Sequence, residues 1–389
     1  MGNRRKRSLR VLVISSCPEI WGGSEELWWS GAMTLLERGH QVDVVRPVVD
    51  QAHPRIAALA SRGGRSYALS TRGERPLLIL SGLTPRGWRV NARRQAGIAA
   101  GLTMMRRRPD LVIVSQGQNY DGLLFAQMAH RLRIPYVVIS QKASEVTWPP
   151  DTGRERLHRA HSRAYASLFV SEHNRRVTED QVGPIACAQV VRNPVLFGHE
   201  GPLPWPDVEP PRLACVARLH APEKGQDSLL RVLDRPRWRE RKYELTFYGT
   251  GHNAIGLQDL ARRLEIPQVH FAGNTNDVRA VWESHSALIL PSRSEGLPLA
   301  LVEAMMCGRP GIVTPVGGNA EIVEDGVTGF VAAGSEVDAL DHALERAWAA
   351  REQWEAIGQK AAAEVRRLVP DGPHDAGIRL ADLAEAAMR

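Results

Sequence analysis

The sequence predicts an α/β protein built from two doubly wound, Rossmann-like domains with parallel sheets. In both halves, short runs rich in Val, Ile and Leu alternate with helical stretches, as in parallel strands joined by helices. A Pro-rich stretch at residues 201–211 suits neither a helix interior nor a central strand, so it marks a linker. The 389 residues suffice for two hydrophobic cores. We therefore expect domains at residues 1–200 and 201–389, and leave open whether the last helical segment packs back on the first domain.

The apolar runs place the expected elements. Strands are expected in the first half at Arg10–Ser15, Gln41–Arg46, Asp110–Ser115, Tyr136–Ser140, Ser167–Ser171 and Ala188–Arg192. Helices are expected between them, for example at Ser24–Arg38 and Asp121–Leu132. Strands are expected in the second half at Arg212–Ala217, Glu244–Tyr248, Val269–Ala272, Ala287–Leu290 and Gly311–Thr314. Because such folds bind ligands at the carboxyl ends of their strands, we expect a cleft there and site residues just after each strand.

The bulk composition excludes several classes of protein. No apolar run is as long as a membrane span, and the basic N-terminus precedes an apolar run too short for a signal peptide. Cys17, Cys187, Cys215 and Cys307 are far apart and lack the spacing of a metal or redox site. We therefore expect reduced thiols in a cytoplasmic protein, with no metal and no cofactor.

The positive charge is concentrated in the first half of the chain. Residues 1–200 contain 29 Lys and Arg against 16 Asp and Glu, so the rest of the chain is mildly acidic. This asymmetry predicts an anionic partner, either lipid headgroups or a phosphorylated acceptor, and no nucleic-acid motif is present. Arg89, Arg93, Arg94 and Arg106–Arg108 on an expected helix would suit peripheral contact with an anionic membrane. A solvated helix packed on its own sheet is the alternative.

Two carboxylates near the C-terminus frame the most informative motif. Glu295 and Glu303 lie eight positions apart, with the turn residue Gly296 and the helix-starting Pro298 between them. Backbone N–H groups at such a helix start favour an anion. A ligand with phosphates in the middle and hydroxyls at both ends, such as a sugar nucleotide, would fit.

Two further loops follow the first strand of each half. Gly22 and Gly23, with Ser24 as an expected helix N-cap, would let backbone amides approach a phosphate, or would form an ordinary turn with positive φ. Arg218 and Lys224 would both reach a diphosphate, or would form a solvated surface.

Glycines after the next strands complete the set. Gly249 and the Gly273-Asn274 pair would line a base pocket or form ordinary turns, with Asn274 the better candidate. Gly317-Gly318 follows the last expected strand, and His40 is expected to cap a helix end. No Walker-type loop is present, and the lack of Gly-x-Gly-x-x-Gly after the first strand argues against a dehydrogenase.

These motifs, in this order, resemble those of the retaining glycosyltransferases of family 4, which have the two-domain GT-B fold. The resemblance is strongest from Arg212 to about Gly334. It implies that Glu295 holds hydroxyls of the transferred sugar and that Glu303 holds the ribose hydroxyls. It further implies that Arg218 and Lys224 bind the donor diphosphate.

The resemblance also implies backbone contacts to the donor from Gly296 and Leu297, and donor contacts from Gly22 and Gly23. The implied donor is a nucleotide-diphosphate-sugar, and the implied acceptor is a glycan, a lipid-linked molecule or a small molecule. The implied hexosyltransferase-like reaction retains anomeric configuration and needs no metal.

One segment departs from the family pattern. Many relatives carry a histidine after the strand that ends near Val114, whereas this chain has Gln116 and Gln118 there and no histidine. Either glutamine would hydrogen-bond a sugar hydroxyl, and Lys142 and Glu145 after the next strand are acceptor-side candidates. A catalytically silent sugar-nucleotide-binding protein, a GT-B epimerase and a phosphorylase remain alternatives.

Overall fold

The computed structural model of the protein describes residues 7–69, 101–117, 120–195, 201–275, 277–369 and 372–388. Backbone contacts divide the chain into two compact units. The first contains residues up to 170, residues 174–194 and residues from 373 onward, and the second contains residues 171–173 and 195–372. Each unit is an α/β domain with a parallel sheet, which confirms the predicted fold class.

The first unit is built on a seven-stranded sheet in the order β3-β2-β1-β4-β5-β6-β7. Its strands are β1 Arg10–Ser15, β2 Gln41–Arg46, β3 Arg65–Ala68, β4 Leu111–Gln116, β5 Tyr136–Ser140, β6 Ala166–Phe169 and β7 Ala188–Val190. Every pairing in the sheet is parallel, so all seven strands begin at one edge and end at the other. The loops that follow the strands therefore meet at a single carboxyl edge.

Helices cover both faces of this sheet, whose central strands are almost wholly buried. They are α1 Glu26–Glu37, α2 Pro54–Ser61, α3 Leu123–Arg131, α4 Asp151–Ser162 and α5 Glu172–Val182. Residues 101–107 are also helical, and a 3₁₀ turn at Gly23–Glu25 precedes α1. Apolar side chains on both faces explain why these strands read as continuous hydrophobic runs.

The second unit has a six-stranded parallel sheet in the order β10-β9-β8-β11-β12-β13. Its strands are β8 Arg212–Val216, β9 Glu244–Tyr248, β10 Val269–Gly273, β11 Ala287–Leu290, β12 Gly311–Val313 and β13 Gly329–Val331. Its helices are α6 Ala221–Lys224, α7 Gln226–Leu233, α8 Pro236–Arg239, α9 Ala254–Arg263, α10 Val278–Ser284, α11 Leu299–Met306, α12 Asn319–Ile322, α13 Val337–Ala349 and α14 Trp354–Leu368.

The last helix, α15 (Gly372–Ala386), belongs to the first unit although it follows the second in sequence. Its buried residues Leu380 and Ala384 join the same hydrophobic cluster as Leu27 and Trp28 of α1. Gly31 permits this packing, because a Cβ there would lie 2.5 Å from Cδ2 of Leu380. The first unit is thus built from two separate parts of the chain.

The Pro-rich stretch is anchored to the second unit. The buried Arg309 guanidinium donates hydrogen bonds to the carbonyls of Leu203 and Pro204, at 3.3 and 2.6 Å. The same side chain donates to three further carbonyls of the second unit. Arg309 therefore holds the stretch through its backbone carbonyls, and the stretch is part of a folded domain from Leu203 onward.

The structure corrects several local predictions. The strands β3 and β13 were not expected, and β3 is half exposed. Ser24 is not an N-cap: it lies inside the 3₁₀ turn, and its hydroxyl donates to Sγ of Cys17. The helix after Pro298 begins at Leu299, with the proline as N-cap.

In the described part of the chain, no helix is long and apolar enough to cross a bilayer. Arg89, Arg93 and Arg94, which carried part of the membrane hypothesis, lie outside the described residues. Arg107 donates to the Asp43 carboxylate at 2.6 Å and lies over the Tyr67 ring. That arginine therefore packs on its own sheet, as the alternative interpretation predicted.

Candidate functional site

Three loops of the second unit meet at the carboxyl edge of its sheet. They follow β8, β11 and β12, which are neighbours in the sheet. The first leads into α6, the second contains Glu295, and the third contains Gly317-Gly318. The parallel topology brings together residues that are up to about a hundred positions apart in sequence.

Lys224 and Glu295 form an ion pair at this edge. Nζ of Lys224 donates to Oε1 of Glu295 at 2.5 Å, and the two side chains are 14% and 6% exposed. The Ser292 hydroxyl donates to the same carboxylate oxygen at 2.7 Å. The sequence assigned these residues to different parts of a donor, and the structure shows that they also contact each other. The pair therefore combines a cation and a carboxylate in fixed positions.

Backbone contacts hold the loop that carries Glu295 against α6. The N–H groups of Arg293 and Ser294 donate to the Glu223 carbonyl at 2.7 and 3.1 Å. Gly225 has φ +65°, and a Cβ there would lie 1.9 Å from the Pro291 carbonyl oxygen. Only glycine fits this crossing, so the chain following Lys224 lies directly against the loop.

Arg293 reinforces the same crossing with its side chain. Its two terminal nitrogens donate to the two Asp227 carboxylate oxygens at 2.7 and 3.0 Å, and one also donates to the Ala221 carbonyl. The Arg293 guanidinium holds the pKa of Asp227 below its ordinary value against the opposing effect of burial. The sequence interpretation overlooked this planar fork, whose only signal was a cation two positions before Glu295.

Gly296, Leu297 and Glu303 follow in the turn and in α11. Gly296 and Leu297 are buried, and Glu303 is half-buried in the second turn of the helix. Gly317 has φ +58°, and a Cβ there would lie 2.4 Å from the Gly296 carbonyl oxygen. The N–H of Gly318 donates to that same oxygen at 2.6 Å. The glycine pair after β12 thus fixes the position of the Glu295–Leu297 backbone.

Arg218 lies at the end of β8, with its side chain 47% exposed and within 3.1 Å of the Glu223 carboxylate. Its carbonyl accepts a hydrogen bond of 2.7 Å from the buried Gln226 amide. Arg218 and Lys224 thus lie at the two ends of one short, fixed segment. Glu223 and Gln226 were not singled out from the sequence.

Gly249 and Asn274 lie in neighbouring turns after β9 and β10. Gly249 has φ +136°, and a Cβ there would lie 2.1 Å from the Ala217 carbonyl oxygen. Asn274 is exposed, and its side chain accepts a hydrogen bond of 3.1 Å from the Thr250 hydroxyl. Close backbone packing accounts for the glycine, whereas Asn274 offers a polar group at the surface.

In the first unit, the loop after β1 contains Gly22 and Gly23. Gly22 has φ −163°, which is ordinary extended backbone, and Gly23 is also outside the positive-φ region. The alternative of a turn that needs positive φ is therefore wrong. These two glycines leave the backbone of the loop free of side-chain atoms, but their φ angles do not require glycine.

A buried ion pair holds this loop. The Arg46 Nε lies 2.8 Å from Oε2 of Glu25, and each side chain is at most 1% exposed. Arg46 also donates to the carbonyls of Glu19 and Ile20, at 3.1 and 3.0 Å, and Ser15 donates to Oε1 of Glu25 at 2.9 Å. Burial raises the pKa of Glu25, and Arg46 opposes that shift. The feature of the sequence that indicated this pair was an arginine, Arg46, at the last position of the apolar strand β2.

The acceptor-side candidates separate into two groups. Gln116 is 1% exposed: its amide donates to the Asp121 carbonyl at 2.6 Å and accepts from the Ser140 hydroxyl at 2.5 Å. This engagement favours a structural role and argues against the predicted contact with a sugar. Gln118 lies outside the described residues. Lys142 is half-buried and Glu145 is exposed in the loop after β5.

The loop after β5 also carries exposed apolar side chains that the sequence interpretation overlooked. Val146 is 91% exposed and Trp148 is 61% exposed. They follow Lys142 and Glu145 directly in the chain. An aromatic ring at a carboxyl edge is able to stack on a sugar or pack on an apolar group.

Comparison with known proteins identifies the second unit. Residues 210–350 match the protein-family model described as "Glycosyl transferases group 1". A GDP-mannose-dependent alpha-(1-6)-phosphatidylinositol monomannoside mannosyltransferase of Mycolicibacterium smegmatis is 29% identical over 270 residues, 64% of this chain and 70% of that protein. A D-inositol 3-phosphate glycosyltransferase of Streptomyces griseus is 36% identical over 179 residues, 43% of this chain and 37% of that protein.

Solved structures share the fold at low sequence identity. HepE of Anabaena, solved in complex with UDP and glucose, superposes with a TM-score of 0.72 at 17% identity, covering 97% of this chain and 100% of that chain. Sucrose-phosphate synthase of Thermosynechococcus elongatus gives a TM-score of 0.72 at 14% identity, covering 97% and 98%. Residues 210–350 are therefore similar to the group 1 glycosyltransferases, and the two parallel-sheet α/β units of the chain share the GT-B fold of these solved structures.

Proposed function

We propose that the protein is a retaining, metal-independent glycosyltransferase of family 4 that transfers a hexose from a nucleotide-diphosphate-sugar. The observation that carries the proposal is the Lys224–Glu295 pair, held at 2.5 Å at the carboxyl edge of the second unit, with Arg218 six positions before Lys224 in the chain. Two cations and one carboxylate in such a place suit a diphosphate joined to a polyhydroxyl ring.

In this proposal, Arg218 and Lys224 stabilise the diphosphate as it departs. The bond from the sugar C1 to the phosphate oxygen breaks, and a new bond forms from C1 to the acceptor oxygen on the same face. The acceptor proton passes to the leaving phosphate oxygen. Because the cations are held in place before reaction, they need little reorganisation as charge develops on the phosphate.

The other donor contacts follow the order of the loops. Glu295 accepts hydrogen bonds from sugar hydroxyls, while Gly296 and Leu297 present backbone groups beside it. Glu303 binds the ribose hydroxyls, and Gly249 and Asn274 contact the base. The Gly22–Gly23 loop of the first unit is proposed to contact the donor as well.

We propose that the first unit supplies most of the acceptor contacts. Lys142 and Glu145 remain the polar candidates, and the exposed Trp148 adds a ring beside them. The related M. smegmatis enzyme is named for a phosphatidylinositol mannoside acceptor, which supports a glycan or lipid-linked acceptor here. Four cysteines without disulfides support a cytoplasmic location.

One observation favours a second candidate function, a catalytically silent sugar-nucleotide-binding protein. The segment after β4 has no histidine, and the Gln116 amide is engaged within the protein. Such a protein would bind a donor without transferring or hydrolysing it.

The test begins with thermal shift against GDP, UDP and their hexose conjugates, because a ligand that binds the folded state raises its apparent stability. The conjugate giving the largest shift is then assayed for hydrolysis and transfer. Wild type should turn over, Lys224→Ala should lose turnover, and Lys360→Ala, an exposed lysine on α14, should match wild type. Tight binding without any turnover would support the silent binder, and no binding of any conjugate would refute both candidates.

A further inference from the structure

The first sheet shows a regular arrangement of arginines that the proposed reaction does not use. Each of its first six strands has an arginine three residues before its first residue: Arg7, Arg38, Arg62, Arg108, Arg133 and Arg163. In the second unit, only β9 has an arginine at that position, Arg241. Because the strands are parallel, all six arginines lie at the amino edge of the sheet, opposite the loop that contains Gly22 and Gly23.

Helix ends explain only part of this arrangement. Arg38, Arg62 and Arg163 are the C-caps of α1, α2 and α4, where a cation is favoured by the helix dipole. Arg108 and Arg133, however, have φ of +47° and +55°, a region where glycine is the least strained residue. At these two positions the arginine side chain is present despite an unfavourable backbone conformation.

Part of the edge has no internal counterions. Arg7, Arg38 and Arg62 each lie within 3.5 Å of a carboxylate. In contrast, five exposed arginines before the neighbouring strands β4, β5 and β6 make no ion pair within the described ranges: Arg106, Arg108, Arg131, Arg133 and Arg163. Strands lie about 5 Å apart in a sheet, so these five charges begin from backbone positions spread over three adjacent strands.

Exposed apolar side chains lie among these arginines. Leu102 and Met105 are 37% and 52% exposed, and they share one face of the helical segment because they are three residues apart. Met104 on another face is buried in the core. Tyr165, two residues after Arg163, is 45% exposed. Arginines combined with Leu, Met and Tyr are the composition of a membrane-interface surface.

The opposite edge of the same sheet has a different charge. The loops that follow β1, β2, β4 and β5 contain one Lys or Arg, Lys142, against Glu19, Asp50, Asp121 and Glu145, and Arg192 follows β7. These loops therefore contain little of the basic excess of the first half. The arginines of the amino edge form a separate surface.

We propose that the amino edge of the first sheet, between the starts of β4 and β6, is a docking surface for anionic lipid headgroups. The five unpaired guanidiniums bind phosphates, while Leu102, Met105 and Tyr165 enter the interface between headgroups and acyl chains. The apolar residues distinguish this surface from a nucleic-acid site, which would need only charge and base contacts.

The first test is sedimentation of the full chain with vesicles of phosphatidylcholine alone or with about one third phosphatidylglycerol. We expect binding only to the anionic vesicles, weakened by salt. The variant R106Q/R108Q/R131Q/R133Q/R163Q should bind at least tenfold more weakly. The control R262Q/R263Q/R279Q/R351Q/R367Q removes the same charge from exposed arginines of the second unit and should bind like wild type.

A second pair of variants separates binding from folding. R108G/R133G should raise the Tm, because glycine relieves the positive φ, and should still weaken vesicle binding. L102S/M105S should leave the net charge unchanged and should reduce binding most at high salt, where electrostatic attraction is screened. Retained binding by R108G/R133G with an unchanged Tm would contradict the role given to these two arginines.

Three outcomes would overturn the proposal. One is equal binding of wild type to both vesicle types or to neither. Another is an equal loss in the variant and in its second-unit control, which would mean that only net charge matters. The last is binding to a double-stranded DNA oligonucleotide, lost in the five-arginine variant, without binding to anionic vesicles. None of these readouts depends on the donor or on catalysis, so they are independent of the proposed reaction.

Discussion

The two units place equivalent loops at the carboxyl edges of similar sheets, but they use charged pairs there in different ways. Glu25 and Arg46 of the first unit are sealed in the protein, and Arg46 also holds two loop carbonyls. Lys224 and Glu295 of the second unit are less deeply buried, and the Ser292 hydroxyl supports the carboxylate. The first pair therefore shapes a loop, whereas the second is the pair that we propose binds the donor. The presence of an ion pair does not by itself indicate its role. The burial of the pair and its other hydrogen-bond partners indicate that role.

The largest expected effect is on the stability of the first unit. Arg46→Gln leaves Glu25 buried without its cation, which should cost about 3–5 kcal/mol in the free energy of unfolding. The double variant Glu25→Gln/Arg46→Gln should recover part of that loss, because no unpaired charge remains. Arg55→Gln is the control, since Arg55 is 30% exposed and lies 3.4 Å from Glu26; it should cost less than about 1 kcal/mol. Urea unfolding measures all three, and equal losses for Arg46 and Arg55 would contradict the comparison.

In the second unit the expected loss is in catalysis. Lys224→Ala and Glu295→Gln should each lower kcat by about 10²–10³-fold, which is the usual effect of removing a group that stabilises a transition state. The double variant should lose less than the product of the two, because the residues act as a pair. Steady-state kinetics with the donor found by thermal shift measures this. Near-normal kcat in either variant would remove that residue from the site.

Acid should destabilise the first unit through another buried polar group. His161 is fully buried, and burial lowers its pKa from 6.5 to about 4. The unfolded chain therefore binds a proton between these values while the folded chain does not, so stability falls as the pH drops from about 6.5 to about 4. The shift corresponds to about 3 kcal/mol. His161→Gln should flatten this part of the pH profile, whereas exposed His130→Gln should leave it unchanged; thermal unfolding across the range decides.

The smallest effect concerns the glycine turn that holds Glu295. Gly317 and Gly326 both have positive φ, but only at Gly317 would a Cβ collide with backbone atoms, at 2.4 Å from the Gly296 carbonyl oxygen. Gly326→Ala should cost about 1 kcal/mol from its backbone conformation alone. Gly317→Ala should cost more, up to about 3 kcal/mol, and should also lower kcat. If the two variants behave alike, the contact does not position Glu295.

The sequence predicted the features that depend on local patterns. The fold class, most strands and the positions of the loops follow from apolar runs and from glycine and proline. The strand β3 was missed because Arg65–Ala68 is half exposed, whereas Gly329–Val331 was missed although it is no shorter than the predicted strand Gly311–Val313. Periodicity identifies an element only when it is long enough and buried on at least one face.

Contacts between distant residues could not be predicted in the same way. Lys224 and Glu295 are 71 positions apart, and their contact depends on β8 and β11 being neighbours in the sheet. Likewise, the sequence pattern predicted that Gln116 faces a ligand. Its actual partners, Ser140 and the Asp121 carbonyl, come from another strand and from the following loop, so the pattern did not show them. Residue types alone predicted which side chains are able to bind a donor, whereas the contacts between those side chains depend on the topology.

The position of α15 has a consequence for how the chain is made. Residues 372–386 complete the core around Leu27 and Trp28, which are synthesised hundreds of residues earlier. A chain that ends before α15 can complete the second unit while the first still exposes the apolar surface that Leu380 covers. We expect a chain truncated after residue 371 to be cleaved by protease within residues 1–194 and to be resistant within residues 210–350. A molecular chaperone that binds exposed apolar surface would act on the first unit, which is synthesised first but completes its hydrophobic core last.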